Sequence, residues 1–284
     1  EVGVLYVKTP SDSDTYSGVD AHVDFITRTD SDFGAVGSVA RLGLRQPVGS
    51  STNGEIGLEL AYVTLGGAYA GYKDSLYNRQ FGYGYLFDTD NFSRSNSLTA
   101  GYLAEDLGGG FYAGFGVEDA NRGQYFAHLD SDSRPDLTAR LGLAGQPWGS
   151  VDVSALYGTE DGNWSVKGTA DVNVLTATQA RFTAAYHDEQ DANVIFLGAG
   201  AQHDVTDQVK AYAGLAYARV DAAPVTTFPA SNLFLFGGTD DVYLANAGVS
   251  YAIAEGFDVN GELAYGRASG DNNYGGVLRF SRSW

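Results

Sequence analysis

The charged residues of the chain include two groups that could face each other across a narrow space. The basic group lies on segments of alternating polarity, where every second residue shares one face, and it comprises Arg28, Arg41, Arg45 and Arg279. The acidic group lies in or beside segment 75–97, and it comprises Asp74, Asp88 and Asp90. Opposed charges across a narrow gap of low dielectric create a strong transverse electric field. We therefore expect these side chains to act on ions and dipolar solutes.

Further charged side chains share the polar face of their segments. The alternation points four more basic residues to that face: Arg140, Lys167, Arg181 and Lys210. Acids share it too, among them Asp20, Asp24 and Glu59. The arginines can therefore pair with neighbouring carboxylates, line an open space, or do both.

A long break in the alternation runs from Ser75 to Ser97 and reads SLYNRQFGYGYLFDTDNFSRSNS. It carries both signs of charge and is rich in aromatic residues, namely Tyr77, Phe81, Tyr83, Tyr85, Phe87 and Phe92. Structureless loops of this length are uncommon in compact domains and are usually functional. One interpretation is a surface loop. The other is a loop folded into the lumen of a β-barrel, where it narrows a channel.

Alternation with a period of two residues is the dominant pattern elsewhere. In 19–28, Val19, Ala21 and Val23 alternate with Asp20, His22 and Asp24, and in 56–62 the predicted apolar face is Ile56, Leu58, Leu60 and Tyr62. Such alternation predicts strands with one apolar and one polar face. We predict strands at 1–8, 18–28, 35–46, 54–64, 67–74, 97–104, 110–118, 135–145, 150–158, 164–174, 178–187, 193–203, 208–219, 241–252, 257–268 and 273–284.

The connections between these strands alternate in length. Short turns such as 66–67 and 255–256 alternate with the other connections, of which the longest are 75–96, 119–134 and 220–240. Outer-membrane barrels have this polarity, with short turns at one end, longer loops at the other and an even strand count. We therefore predict an all-β fold, a 16-stranded antiparallel transmembrane β-barrel with the third long loop folded into the pore. Residues 1–284 form its single domain, and 75–97 form the constriction loop.

A soluble β-sandwich is the main alternative fold. A sandwich fills its dry core with large branched side chains, whereas many positions on the predicted apolar face are small, for example Ala21, Ala139, Ala155 and Gly261. The opposite face is densely charged. A polar inner face is expected where a barrel of about this strand number encloses water, and this favours the barrel.

Composition limits the function further. The 284 residues carry a formal net charge of −18, so a nucleic-acid partner, which requires a basic surface, is not expected. The chain holds no Cys, so it has no disulfides or thiol chemistry. No run approaches the ~18 apolar residues that indicate a membrane helix. The chain also lacks Met, which a removed signal peptide or a trimmed sequence would explain.

Signals for cofactors and catalysis are weak. Asp-Ser-Asp pieces recur, and hard cations such as calcium bind oxygen ligands of this kind. The EF-hand spacing is missing, so we expect no cofactor and at most loosely bound calcium at Asp130 and Asp132. The four histidines are scattered, and we interpret His187 as a residue of the barrel rim. No GxSxG, P-loop or dinucleotide motif is present, so we predict that the protein is not an enzyme.

Two segments resemble a known family. Residues 61–78, AYVTLGGAYAGYKDSLYN, are similar to the strand–turn–strand that leads into the constriction loop of the alphaproteobacterial general porins. The final VLRFSRSW resembles the last strand of that family, although it ends in Trp284 where the family usually has Phe. The resemblance implies a homotrimer of 16-stranded barrels in the bacterial outer membrane, in contact with lipid and lipopolysaccharide. It also implies passive diffusion of small hydrophilic solutes, with the constriction loop at about 75–97.

Three other functions stay open on the same barrel. The aromatic-rich loop could form a path for a specific substrate such as a sugar. A plugged barrel could serve as a structural anchor or adhesin. A barrel enzyme of the lipase type would need a Ser–His pair at a strand rim, which the sequence does not indicate. For an open pore, the net charge of −18 predicts a mild preference for cations.

Overall fold

The protein forms an antiparallel β-barrel. The structure, a computed structural model, describes residues 2–8, 13–48, 55–78, 82–84, 96–119, 134–160, 162–189, 192–222, 228–230, 234–236, 240–268 and 270–283. Its strands are β1 (Val2–Lys8), β2 (Ser13–Ser31), β3 (Gly34–Val48), β4 (Glu55–Leu65), β5 (Ala68–Asp74), β6 (Asn96–Ala104), β7 (Phe111–Glu118), β8 (Asp136–Gln146), β9 (Gly149–Tyr157), β10 (Trp164–Leu175), β11 (Thr178–Glu189), β12 (Ala192–Asp204), β13 (Val209–Ala222), β14 (Phe228–Ala230), β15 (Phe234–Phe236), β16 (Asp240–Ala254), β17 (Phe257–Ala268) and β18 (Asp271–Arg282).

Each long strand pairs with its neighbours along the chain, and β1 closes the sheet by pairing with both β2 and β18. The closed order runs from β1 through β13 and continues with β16, β17 and β18. In the chain between β13 and β16, strands β14 and β15 form a separate two-stranded sheet. No helix in the described part of the chain is long and apolar enough to span a membrane.

Each predicted strand overlaps an observed one, with bounds that differ by a few residues, and two departures are larger. Strand β2 begins at Ser13 and ends at Ser31, beyond the predicted 18–28, because it pairs with β1 from Ser13 onward and with β3 as far as Ser31. The connection predicted at 220–240 is not wholly irregular, since it contains the β14–β15 hairpin. Three-residue strands are too short to give a recognisable alternation, which is why the sequence pattern missed them.

The alternation separates an apolar outer face from a polar inner face. On β9, Val151 and Val153 are exposed, whereas Asp152 and Ser154, which alternate with them, are buried. Strand β10 repeats the pattern with buried Lys167 beside outward Val166. An exterior of exposed apolar side chains is unfavourable in water but suited to hydrocarbon. The pattern therefore supports the predicted membrane barrel over a soluble sandwich.

One strand does not follow the predicted alternation. Between Arg41 and Leu42 the register of β3 with β4 shifts, because a β-bulge at Glu59 places an extra residue of β4 there. A bulge inverts the facing of every later residue. Leu60 and Tyr62, predicted on the apolar outer face, therefore lie on the inner face, and the Tyr62 ring lies 5.7 Å from the Lys73 ammonium.

Paired aromatic rings mark the outer face near the long-loop end. Three neighbouring pairs have ring centroids 5.0–5.4 Å apart: Trp164 with Tyr186, Tyr217 with Tyr243, and Tyr265 with Tyr274. Tyrosine and tryptophan prefer the membrane–water interface, where the ring is buried in lipid and the polar atom remains hydrated. We place one edge of the apolar belt at these rings.

This arrangement predicts the effect of a charge on the outer face. Leu215 lies in the middle of β13 and is 66% exposed, so Leu215→Arg would put a guanidinium among lipid chains. We expect this substitution to reduce the free energy of unfolding in lipid vesicles, and so the stability, by about 2–4 kcal/mol. The measurement is a urea titration followed by tryptophan fluorescence. The control His22→Arg places the same group on the open inner face beside Glu59. Equal losses in both variants would contradict the assignment of the faces.

Candidate functional site

Segment 75–97 leaves the wall at the end of β5 and returns at the start of β6, and both of its ends bind one carboxylate. Ser75 donates a hydrogen bond to Glu118 Oε1 at 2.8 Å, and Ser97 donates to Glu118 Oε2 at 3.3 Å. Thr138 on β8 donates to Oε1 at 2.9 Å. Glu118 is only 1% exposed. Hydrogen bonds to a buried carboxylate are strong, so Glu118 fixes the base of the segment to the inner face of β7.

Tyr77 extends from this base to the next part of the wall. Its side chain is 2% exposed, and the Lys167 ammonium on β10 lies 4.3 Å from its ring centroid. Its hydroxyl lies 3.5 Å from His187 Nε2 on β11, and Ser165 lies 2.8 Å from Nδ1 of the same imidazole. Burial raises the pKa of the Tyr77 hydroxyl. A cation over an aromatic face contributes more when water is excluded, so this contact holds the segment to the wall.

Tyr83 makes a second contact of the same kind. Its ring centroid lies 5.0 Å from the Arg181 guanidinium on β11, and Arg181 also donates a 3.4 Å hydrogen bond to the Gly82 carbonyl. The guanidinium is held from the other side by Asp171, its cross-strand neighbour, through bonds of 2.6 and 3.1 Å. A bidentate pair of this geometry fixes the plane of the guanidinium, and Tyr83 packs on that fixed plane.

The segment reaches a third part of the wall at residues 83–84. Asn246 on β16 donates a 2.8 Å hydrogen bond to the Tyr83 carbonyl. The described parts of the segment thus contact β7, then β10 and β11, then β16. Every one of these contacts is with side chains of the inner face. Residues 75–78 and 82–84 therefore pack against inner-face side chains of these strands.

The inner face of β2–β4 has a different environment. Arg41 binds the cross-strand Asp24 through bonds of 2.6 and 2.8 Å, and His22 lies 2.8 Å from Glu59. These four side chains are 34–42% exposed. The ion pairs on the opposite wall, Arg140 with Asp152 and Arg181 with Asp171, are only 3–18% exposed. One wall of the interior is therefore covered, and the other faces an open space.

The residues that the sequence grouped have different surroundings in the structure. Arg41 pairs with a carboxylate, which is one of the roles that the sequence predicted for these arginines. Arg28 lies on the same face and is exposed, and it lines a cavity of ≈ 620 Å³ with Lys73 and Tyr69. Arg279 lines a separate groove on β18. Arg45 lies on β3 opposite Asp20. Asp74 is the exposed last residue of β5 and accepts a hydrogen bond from Asn78 at 3.3 Å.

The other predicted lumen charges lie on both walls. Arg140, Lys167 and Arg181 belong to the covered wall, with Arg140 3.3 Å from Asp152. Lys210 lies in the same groove as Arg279, and its ammonium is 3.5 Å from Asp204. Four predicted residues lie outside the described residues: Asp88, Asp90, Asp130 and Asp132. Among the described residues, no group of three or more His, Asp or Glu could hold a metal ion.

Two interpretations of the sequence were wrong or incomplete. His187 is not at the rim but buried under Tyr77, because β11 continues past it to Glu189. It also forms a Ser–His pair with Ser165 that the sequence did not indicate, but both side chains are buried inside the barrel. Glu118 was not singled out at all. The signal that could have found it was its position on the inner parity of the predicted strand 110–118.

A closed antiparallel barrel with an apolar exterior and a charged, partly filled interior is the architecture of outer-membrane channels. The comparison with known families agrees. The chain belongs to the porin subfamily, whose family model matches residues 4–280. The family predicted from segment 61–78 and from the final strand is therefore confirmed, and the protein is located in the bacterial outer membrane.

Relatives and solved structures are similar over most of the chain. Porin Omp2b of Brucella canis is 27% identical to this chain over 252 residues. The match covers 83% of this chain and 66% of that protein, so this chain spans about two thirds of its relative's length. The outer membrane channel DcaP of Acinetobacter baumannii has a TM-score of 0.65 at 15% identity, covering 99% of this chain and 95% of that one. A trimer form of OmpT from Vibrio cholerae has a TM-score of 0.57 at 13% identity, with 99% and 96% covered. At such identities the solved structures show the fold alone.

A substitution at Glu118 tests whether this carboxylate anchors the two ends of segment 75–97. Glu118→Gln keeps the size of the side chain but removes the charge and replaces one acceptor oxygen with a donor. We expect a loss of about 1.5–3 kcal/mol in the free energy of unfolding, as for hydrogen bonds to charged groups, measured by urea titration in lipid. The control Glu105→Gln lies in an exposed turn and should leave stability unchanged. If the two variants were equally stable, Glu118 would not be the anchor.

Proposed function

We propose that the protein is a general diffusion porin through which small hydrophilic solutes and ions pass passively. In this proposal the chain forms one domain, a sixteen-stranded transmembrane barrel, and segment 75–97 folds into the lumen and narrows it. One observation carries the proposal. Residues 75–78 and 82–84 contact the inner faces of β7, β10, β11 and β16, while the charged inner face of β2–β4 stays exposed.

The exposed wall supplies the chemistry of a diffusion channel. Charged side chains that line a pore select among ions. Arg28 and Arg41, with Arg45 on the same strand face, form a basic strip that alternates with Asp24 and Glu59. We propose that Arg279 extends the strip across β1 and that Asp74, Asp88 and Asp90 supply the opposing carboxylates. Fields between such opposed charges orient dipolar solutes and disfavour apolar ones.

We propose a homotrimer in the outer membrane, surrounded by lipid and lipopolysaccharide. The solved OmpT has a trimer form. Small outward side chains on β5, Ala68 and Ala70, leave space for a close approach of a second barrel. The remaining exterior is apolar, as contact with lipid requires.

The alternatives receive less support. Of the segment's aromatic rings that the structure describes, those of Tyr77 and Tyr83 already contact Lys167 and Arg181, which makes them less suited to an aromatic path for sugars. A plugged anchor would cover both walls, whereas His22, Asp24 and Arg41 remain exposed. A lipase-type activity would need an accessible serine, and Ser165 is buried. The proposal therefore includes no catalysis and no cofactor, with at most weakly bound calcium at Asp130 and Asp132.

Current through single molecules in a planar lipid bilayer tests the proposal. We expect stepwise openings in groups of three and, in a potassium chloride gradient, a reversal potential that shows mild cation preference, since the net charge is −18. Arg41→Ala should increase the cation preference, because it removes a positive charge and leaves the Asp24 carboxylate facing the open space. The measured quantity is the shift in reversal potential.

The matched control is Arg219→Ala. Arg219 is an exposed arginine of β13 paired with Asp221 on the outer parity of the strand, so its removal should not shift the reversal potential. Absence of openings from correctly folded protein would contradict a porin and favour a plugged anchor. Openings with anion preference would contradict the predicted selectivity, and openings unchanged by Arg41→Ala would remove Arg41 from the pore lining.

A further inference from the structure

Three groups stack where segment 75–97 meets β13 and β16, namely Gly248, the ring of Tyr212 and Gly84. The ring of Tyr212 on β13 lies flat over Gly248 of the neighbouring β16, so close that a Cβ on Gly248 would overlap the ring. On the other side of the ring lies Gly84 of the segment. A Cβ on Gly84 would come within 2.5 Å of Tyr212 Cε2, 2.6 Å of Glu262 Oε1 and 2.8 Å of Asn246 Nδ2. The ring is thus held between two glycines, one on the wall and one on the segment.

Polar contacts fix the ring and its neighbours. The Tyr212 hydroxyl lies 3.0 Å from Asn260 Oδ1 and 3.2 Å from Glu262 Oε2 on β17. Asn246 donates to Glu262 Oε1 at 2.7 Å and to the Tyr83 carbonyl of the segment at 2.8 Å. Tyr212, Asn246 and Glu262 are all buried. Three strands therefore build one surface for residues 83–84, held by the hydrogen bonds that Tyr212 and Asn246 donate.

We propose that Tyr212, Asn246 and Glu262 form a docking platform that sets how far segment 75–97 projects into the lumen, and thereby the largest solute that passes. This inference rests on the proposed diffusion function and names residues that position the constriction without lining the open space. The thickness of the platform is one aromatic ring. The platform is this thin because Gly248 and Gly84, which both touch the ring, have no side chains that would hold it further from the wall or from the segment.

The geometry fixes the direction of the effect. The wall lies behind the Tyr212 ring, so we expect a side chain added at Gly248 to displace the ring away from the wall, toward the lumen. The ring would then push residues 83–84 away from the wall and narrow the passage. The overlapping atoms are the far end of a flexible side chain, so the strand itself need not move. Gly84 has φ +97°, a region that residues with a Cβ rarely adopt, and is a less suitable test site.

The test compares Gly248→Ala with Gly261→Ala. A Cβ on Gly261 of β17 would meet nothing within 4 Å, and the residue has the outer parity, so this variant is the matched control. Conductance in planar bilayers and the largest polyethylene glycol that enters liposomes are measured for each. We expect Gly248→Ala to lose conductance and to exclude a polymer that the wild type admits, and Gly261→Ala to match the wild type. A Gly248→Ala protein with wild-type values would overturn the platform.

A second variant makes the argument specific to the ring. Without the Tyr212 ring there is nothing for the new methyl group to displace, so Gly248→Ala should cause no loss of conductance in a Tyr212→Ala background. Coupling of this kind is what a double-mutant cycle measures. An equal loss in both backgrounds would assign the effect to the strand and overturn the role of the ring.

A third readout does not depend on channel function. Segment 75–97 contains Arg79 and Arg94, so its release from the platform can be followed by trypsin cleavage in the folded protein. We expect faster cleavage at these sites in Tyr212→Ala than in the wild type, and no change in Gly261→Ala. Equal cleavage rates in Tyr212→Ala and the wild type would overturn the platform. If the wild type showed no channels, the diffusion function would fail, and the cleavage rates would still decide whether the platform holds the segment.

Discussion

The structure depends on one constraint, that every backbone hydrogen-bonding group of the sheet must have a partner within the sheet. Hydrocarbon offers no water to unpaired N–H and C=O groups, so an open edge is not tolerated there. Pairing of β1 with both β2 and β18 removes the two edges. Closure then divides the side chains by parity, except where a bulge shifts it. The apolar side chains, which are unfavourable on a surface exposed to water, face outward, and the polar side chains of each strand are enclosed.

Enclosing so many charges creates a second problem, which the protein solves differently on its two walls. Burying an ion pair costs desolvation free energy that only good geometry and further hydrogen bonds offset. On the covered wall Arg181 has both: two bonds to Asp171, a bond to the Gly82 carbonyl and the face of Tyr83. On the open wall Arg41 and Asp24 keep part of their hydration and make a simple pair. The segment from β5 to β6 thus acts as the partner that makes burial of one wall tolerable.

The sequence pattern predicted most of the strands because a period of two is a local property. It failed where non-local pairing changed that period. The bulge at Glu59 turns Leu60 and Tyr62 inward, and only the register with Arg41 and Leu42 reveals it. The β14–β15 hairpin is too short to leave a pattern. The basic residues of the inner face were predicted by parity, but parity cannot tell a covered wall from an open one.

The sequence by itself determined the class of fold, the two faces of the barrel, the unusual segment 75–97 and the family, since these follow from alternation, loop spacing and short motifs. The tertiary structure alone decided which charges are buried and which face water. It joined Ser75 and Ser97 to Glu118, placed Tyr77 on Lys167, and brought Gly84 onto Tyr212 across the barrel. The physical reason is distance along the chain. Residues as far apart in the chain as Gly84 and Tyr212 meet only because the sheet closes, and no local pattern encodes which part of the wall a loop contacts.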